Sequence, residues 1–452
     1  MHLEKESGTW KWGVLCLLFL APFFFLSYGF ANQYAAQLAD VPSVVYAWEQ
    51  HIPLWPWTIV PYWSIDLLYG LSLLLCWNKF ELKQHALRLF FAQLISISCF
   101  LLFPLKFSFE RPELTGFFGL WFDVLMGFDK PFNQAPSLHI VLLVILWDFY
   151  RRHSTAPYKW LVDLWSFLIG LSVLTTWQHH FIDIPTGLWV GALCLWLFPV
   201  VADAPFKSGQ QRLTLRHLKL AAYYAVAAIG LASLALILNG TFLWLAYPAL
   251  SLILVALAYI TGRVHFFQKH PEGTFSTGSW ILFAPYLLGV WLNSRIWTRL
   301  HPQDTLIIQL DTLHLYLGRL ANIQNMNAYD AVFDCCAEFP TPYPVLGSQY
   351  LSLDLIPLQA NQLEQAVMRL EQLLQHRGTA DKHHQSRILI FCALGYARSS
   401  ATLCAWLLYK QYVTNSTEAI ALLQQRRPWV VLNAEQQKQL NVYQLKLKGL
   451  AP

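Results

Sequence analysis

Apolar runs of roughly twenty residues fill most of the first 262 positions, and that is the length an α-helix needs to cross the hydrocarbon core of a bilayer. They lie near 12–30, 57–77, 86–104, 137–150, 158–177, 184–202, 217–238 and 242–262. The fourth is short and opens at Pro136. The first, "LCLLFLAPFFFLSYGF", is too long for a cleaved signal peptide and is not followed by a clean small-residue cleavage pattern. A further segment, "GSWILFAPYLLGVWLNSRIW" at 278–297, holds Pro285 in mid-run. It is apolar for only about 15 residues, which suits a re-entrant or interfacial segment as well as a span. Composition agrees with a membrane protein. Hydrophobic residues make up 56% of the chain and charged residues 13%, against about 25% charged in an ordinary soluble domain.

Basic residues between the runs set an orientation. Lys5, Lys11, Lys79, Lys83, Arg88, Arg151, Arg152, Lys159, Lys207, Arg212, Arg216, Arg263 and Lys269 share one side if every run crosses. That side, with the N-terminus, is then cytoplasmic. Lys106, Arg111 and Lys130 fall on the other side, and misplaced charge there points to function. The net charge of +5 is dispersed, without the Lys/Arg block that a nucleic-acid partner requires. The eight cysteines show neither metal-ligand nor disulfide-framework spacing. No metal or other cofactor is expected, and apart from Cys392 the cysteines read as buried thiols.

Near residue 300 the pattern changes. "DAVFDCC" and "RILIF" read as buried strands, while 361–377, "SSATLCAWLLYKQYV" and "STEAIALLQQRR" carry helical periodicity. The expected architecture is a polytopic α-helical membrane bundle over 1–298 followed by an α/β domain over 299–452, long enough for its own core.

Three clusters in the apolar half carry chemistry: Lys106 and Arg111 in "LKFSFERPE", Ser137 and His139 in "NQAPSLHIVLL", and His179 and Asp183 in "TTWQHHFIDIPTG". All three fall on the outer face. Two histidines, a carboxylate and two cations suit phosphoryl transfer. One histidine can attack phosphorus, a carboxylate can hold its tautomer, a second histidine can protonate the leaving oxygen, and the cations can neutralise phosphate oxygens. Asp66, Asp148 and Asp163 sit in other runs, outside any motif, and read as structural.

These clusters resemble the three motifs of the type-2 phosphatidic acid phosphatase superfamily over about residues 10–205. The likeness is strongest to the branch that includes inositol-phosphorylceramide synthases, which "WEQHIPLWPWTIVPYWS" (48–64) also resembles. The resemblance implies His179 as nucleophile, Asp183 as its orienting carboxylate, His139 as acid, and Lys106, Arg111 and Ser137 as phosphate ligands. Spacing alone leaves His180 beside His179 as an alternative. Trp177 stands where this branch often has a cation, and Gln178 is the neighbour that could replace it.

The second chemical feature is "RILIFCALGYARSSATLCAWLLY" (387–409), a strand, a loop from Cys392 to Arg398, and a helix. Loop N–H groups and the helix N-terminus create a positive field that favours a thiolate and an oxyanion. Gly395 lets the backbone curl in, Arg398 can grip two phosphate oxygens, and Ser399 can hydrogen-bond the thiolate. This resembles the dual-specificity branch of protein tyrosine phosphatases over about 305–446. "LYLGRLAN", "YLSLDLIPL" and "RRPWVVLN" fall where that family has its strand, acid loop and late helix pieces. The general acid is Asp354, with Asp330, Asp334 and Asp381 as alternatives and "GTADKHHQS" (378–386) as an insertion. Phe391 replaces the family's usual histidine. The loop carries Arg398 as its one cation, so a polyphosphorylated inositide is not expected.

The chain therefore reads as a multi-pass bacterial-type inner membrane phosphatase with two phosphate sites. The His-based site acts on a membrane lipid and the Cys-based site on a lipid or a phosphoprotein. Head-group phosphotransfer to an alcohol and a non-catalytic phosphate-sensing scaffold remain open alternatives. A reactive thiolate suits a reducing compartment, so the C-terminal domain is expected in the cytoplasm if 278–297 does not cross, and in the periplasm if it does.

Overall fold

The computed structural model describes residues 4–206, 213–310, 312–321, 323–378 and 385–450. Lys207, Arg212, Asp381 and most of the 378–386 stretch lie outside them. Contacts divide the chain into two compact units, one of 1–204 with 238–243 and 277–282, the other of 205–237 with 244–276 and 283–452.

The first unit holds α1 (Thr9–Ala36), α2 (Ile59–Leu74), α3 (Lys79–Leu102), α4 (Gly116–Phe128), α5 (Leu138–His153), α6 (Lys159–Thr175) and α7 (Asp183–Leu197). Six of these fall on the apolar runs read from the sequence, and α4 comes from a shorter stretch that the run length passed over. Close approach of α5 and α7 builds the site end of this unit. A Cβ on Gly187 would lie 2.7 Å from that of Ile140, and one on Gly191 2.7 Å from that of Val144. The small residues four apart let the two backbones pack tightly, as in small-xxx-small helix pairs. That packing brings the Ser137 N–H to the Asp183 carbonyl at 3.1 Å.

The far end of α5, about 24 Å away at 1.5 Å rise per residue, carries ion pairs. Arg88 meets Asp148 at 3.0 Å, Arg152 meets Glu81 at 2.6 Å and Asp148 at 3.2 Å, and His153 meets Glu81 at 2.9 Å. Asp163 accepts from the Trp147 indole at 2.7 Å. Asp148 and Asp163 thus serve packing, as their isolation from any motif suggested.

The second unit begins with α8 (Leu215–Leu238), α9 (Ala246–Thr261) and α10 (Thr277–Trp297). Among the described residues four helical stretches are long and apolar enough to cross a membrane: Thr9–Ala36, Lys79–Leu102, Leu215–Leu238 and Gly240–Thr261. This is fewer than the eight runs suggested. α2, α5, α6 and α7 have 15 to 17 residues, a rise of about 23–26 Å against a hydrocarbon core of about 30 Å. The apolar runs continue past the helix ends into turns, as at Leu75–Trp77 and Phe198–Val200. Both flanks of α10 bond to the same α/β domain. Thr341 donates to Gly273 at 2.7 Å before the helix, and near its end Ser294 donates to Ala393 at 2.7 Å. The first six residues of α10, Thr277–Leu282, group with the first unit and the rest with the second.

The domain is a five-stranded sheet in the order β1-β2-β5-β3-β4. Its strands are β1 (Thr305–Gln309), β2 (Leu313–Gly318), β3 (Ala331–Cys336), β4 (Leu346–Ser352) and β5 (Ser386–Phe391), with β1 antiparallel and the rest parallel. Helices α11 (Ile323–Met326), α12 (Ala360–Gly378), α13 (Arg398–Tyr409), α14 (Ser416–Arg426) and α15 (Ala434–Leu447) complete it. β3 and β5 are buried nearly throughout, which their unbroken apolar character requires. Phe391 is fully buried among Leu320, Met326, Val332 and Leu389, so it serves the core. In an open parallel sheet ligands gather at the carboxyl ends of the strands, and Cys392 follows the end of central β5.

One buried ion pair ties the segment after α9 to the sheet. Lys269 Nζ donates to Asp334 Oδ2 at 2.5 Å and to the carbonyls of Cys336 and Phe339 at 2.8 and 2.7 Å. Both side chains are fully buried. Lys269→Met strands a buried carboxylate and should cost about 3–5 kcal/mol, read as a lower unfolding midpoint of the full-length protein. Adding Asp334→Asn should recover part of that loss.

Candidate functional site

In the first unit the three sequence clusters converge on His179. Its Nδ1 lies 3.2 Å from Asp183 Oδ2, and Asp183 is fully buried at the first residue of α7. The same carboxylate oxygen accepts the His180 N–H at 3.0 Å. The His139 ring stacks on Tyr62 at 3.9 Å and lies 6.3 Å from the His179 ring, centroid to centroid. Its Nε2 is buried without a hydrogen-bond partner.

His179 and His180 differ in their partners. Ser108 N–H donates to Nε2 of His180 at 3.1 Å, so that nitrogen is an acceptor. Nδ1 then carries the proton and donates to Glu49 Oε2 at 3.0 Å. Both nitrogens of His180 are committed, whereas no hydrogen bond to His179 Nε2 occurs among the described residues.

The phosphate ligands expected here are placed unevenly. Arg111 donates to the Trp177 carbonyl at 2.7 Å, lies over the Phe122 ring at 5.0 Å, and reaches the Gln178 amide oxygen at 2.6 Å once that amide is turned. Ser137 spends its hydroxyl as the N-cap of α5, accepting from Ile140 N–H at 3.5 Å. Lys106 is exposed and makes no ion pair among the described residues. Sequence reasoning missed Glu49, although it lies inside the quoted stretch 48–64. It also missed Asp129, which is buried and accepts from Tyr28 at 2.9 Å.

In the second unit the loop after β5 is organised by what holds its carbonyls. Ser294 and the Leu320 N–H take the Ala393 oxygen, Arg427 Nε takes that of Gly395 at 3.2 Å, and the Val431 N–H takes that of Tyr396 at 3.2 Å. With these carbonyls drawn outward, loop N–H groups turn toward the centre. The Gly395 N–H points at Cys392 Sγ at 3.3 Å, and the Ser399 hydroxyl reaches the same sulfur at 3.3 Å. Gly395 has φ +71°, and a Cβ there would lie 2.3 Å from the Gly318 carbonyl. Glycine is required at that point by both conformation and space.

Arg398 is buried. It donates to both oxygens of Glu338 at 2.8 and 2.6 Å and to the Ser352 carbonyl at 2.8 Å, and lies 3.0 Å from Asp354 Oδ1. Burial would raise the Glu338 pKa, but the Arg398 guanidinium more than offsets this and holds it below the usual value. Desolvation keeps the Asp354 carboxyl above its usual range, against the pull of Arg398 and with a push from Glu338. Among the described candidates, Asp354 is the acid that the structure brings to the loop. Asp330 bonds to the Arg387 N–H at 2.8 Å, at the opposite end of β5, and Asp334 is engaged by Lys269. Glu338 escaped the sequence reading, and so did Arg427. No group of three or more potential metal ligands occurs among the described residues.

Comparison with known proteins bears on the second unit. The family model "Dual specificity phosphatase, catalytic domain" matches residues 315–446. The crystal structure of PTPMT1 is 15% identical, covering 32% of this chain and 97% of its own length, with a TM-score of 0.27. Tk-PTP in its active form is 20% identical, covering 33% and 97%, with a TM-score of 0.24. Human DUSP28 is 19% identical, covering 30% and 95%, with a TM-score of 0.26. Among curated proteins nothing matches.

Gly395→Ala should therefore weaken binding of inorganic phosphate at least about tenfold, about 1.4 kcal/mol, measured by calorimetric titration of the full-length protein. Unchanged affinity would mean that the loop does not need its left-handed turn. Residues 315–446, with Cys392 and Arg398 at the carboxyl edge of their parallel strands, carry a dual specificity phosphatase catalytic domain.

Proposed function

We propose that the chain is an integral membrane phosphatase with two covalent phosphate sites, one built on Cys392 and one on His179. The observation that carries the first is the sulfur's environment, with Gly395 N–H and Ser399 O–H both on Cys392 Sγ and Arg398 held by Glu338. The thiolate attacks phosphorus, an S–P bond forms, and the P–O bond to the alcohol breaks. Asp354, whose carboxyl desolvation holds above its usual range against the pull of Arg398, gives its proton to the leaving oxygen. Water then attacks the phosphocysteine and passes a proton to Asp354. Ser399 and Gly395 stabilise the departing thiolate, and inorganic phosphate leaves.

The His179 site, on this reading, belongs to the type-2 phosphatidic acid phosphatase class and acts on a phosphate group of a membrane lipid. Nε2 of His179 attacks, Asp183 stabilises the imidazolium through Nδ1, and the unpartnered Nε2 of His139 delivers the proton to the leaving oxygen. Arg111 neutralises phosphate oxygens. Water or a lipid alcohol can accept the phosphoryl group from the histidine.

The attachment of both flanks of α10 to one domain supports a segment 278–297 that does not cross, and with it a cytoplasmic C-terminal domain at a bacterial-type inner membrane. Impermeant alkylation of Cys392 in intact cells tests this, and labelling would place the thiol outside.

Cys392→Ser should abolish, and His179→Ala should leave, hydrolysis of para-nitrophenyl phosphate at the cysteine site. Asp354→Asn should lower kcat for an alkyl phosphate roughly 10²–10⁴-fold. The acid must be protonated, so wild-type rate falls as pH rises through its raised pKa, and Asp354→Asn should remove that limb. If neither Cys392→Ser nor His179→Ala lowers turnover of any phosphomonoester, the enzymatic reading fails and a binding scaffold remains.

A further inference from the structure

A cavity of about 480 Å³ adjoins the cysteine site, with Ala393 of the loop on its wall. Glu338 and Asp354 line one end, and Tyr224 of α8, Leu252 of α9, and Pro285 and Gly289 of α10 line the rest. These helices belong to the same compact unit as the α/β domain, and two of them contribute directly to the catalytic loops. The Tyr259 hydroxyl on α9 donates to the Asp354 carbonyl at 3.1 Å, and Ser294 on α10 holds the loop carbonyl beside Cys392.

The cavity's direction can be read from α9. Tyr259 sits at the level of the acid loop, whereas Pro248, also on the cavity wall, lies eleven residues earlier on the same helix. At 1.5 Å rise per residue the cavity wall at Pro248 therefore lies about 16 Å along α9 from the level of Asp354. The helices that wall it are apolar on their outer faces as well. Val226, Ile229 and Leu236 of α8, and Leu288, Trp291 and Ile296 of α10, are all exposed. Exposed apolar area of this extent, with tryptophan on α10, fits burial in a lipid phase with an interfacial belt. At the polar end a second cation joins Arg398. Arg216, in the first turn of α8, is close enough to pull on the Asp354 carboxyl.

We infer that the cysteine site takes a lipid phosphomonoester from within the membrane, its phosphate in the Cys392 loop and its acyl chains in the cavity between α8, α9 and α10. The helices that wall the cavity also carry the exposed apolar faces, so a lipid whose phosphate enters the loop keeps its chains against apolar side chains. The inference rests on the phosphatase reading of Cys392 and adds the class of its substrate.

Gly289 offers a direct test. A Cβ there meets nothing within 4 Å, although the residue lines the cavity. Replacing a helical glycine also raises helix propensity, so Gly289→Trp, or the smaller Gly289→Leu, fills the cavity without straining α10. The assay uses full-length protein carrying His179→Ala, to silence the other site, in mixed micelles. Dioleoyl phosphatidic acid, para-nitrophenyl phosphate and a phosphotyrosyl peptide are the three probes, each measured with and without Cys392→Ser. Cys392-dependent kcat/KM should favour the lipid over the peptide by at least about a hundredfold, since binding energy from the chains is used at the reacting centre. Gly289→Trp should lower the ratio of lipid to para-nitrophenyl phosphate turnover by at least about tenfold. Peptide turnover equal to or above lipid turnover, or a ratio indifferent to both Gly289 variants, overturns the inference and leaves the phosphatase reading intact. Absence of Cys392-dependent turnover on all three probes overturns both.

Discussion

A buried guanidinium sets the terms for the second unit. Arg398 is 3% exposed, and a charge so placed is tolerated only when its donors are met. Glu338 takes two of them, the Ser352 carbonyl a third, and Asp354 closes the ring. These partners come from the ends of β3 and β4, while Arg398 itself opens α13 after β5. The parallel register of β3 against both β4 and β5 is what delivers them to one point.

The apolar helices α8 to α10 are part of this arrangement. Lys269 reaches a carboxylate on β3, Tyr259 holds the acid-loop backbone, and Ser294 holds a carbonyl of the phosphate loop. Each is a polar residue buried at the end of, or just beyond, an apolar helix. Such residues are costly unless paired, and each finds its partner on a catalytic segment. A shift of α9 or α10 would therefore be felt first at Asp354 and at Ala393, the residue after the nucleophile. Leu355, with φ +58° directly after Asp354, adds a strained turn at the point that Tyr259 supports.

The same economy appears in the first unit. A buried carboxylate, Asp183, fixes the tautomer of His179, and a second, Glu49, fixes that of His180. The two histidines are adjacent in sequence and differ in fate because of what meets their outer nitrogens. Ser108 closes His180 off, whereas Nε2 of His179 has no hydrogen bond among the described residues. The tight α5–α7 contact at Gly187 and Gly191 then sets the spacing between the His139 and His179 rings.

What the sequence made legible was local. Cys392, Gly395, Arg398 and Ser399 lie within eight residues, and their chemistry follows from a strand–loop–helix pattern whose periodicity is plain. His179 and Asp183 lie only four residues apart, across the turn that opens α7. The carboxylates that complete each site are distant, Glu338 by 60 residues from Arg398 and Glu49 by 131 from His180. Nothing in composition or spacing singles out a glutamate whose role is fixed only by where the chain returns. Hydropathy overstated helix length for a related reason, since it records how apolar a stretch is and not where its backbone turns. The segment 278–297 shows the limit most clearly. Its composition allows a span or a surface helix, and its hydrogen bonds to residues 341 and 393 depend on where the chain returns rather than on its own sequence.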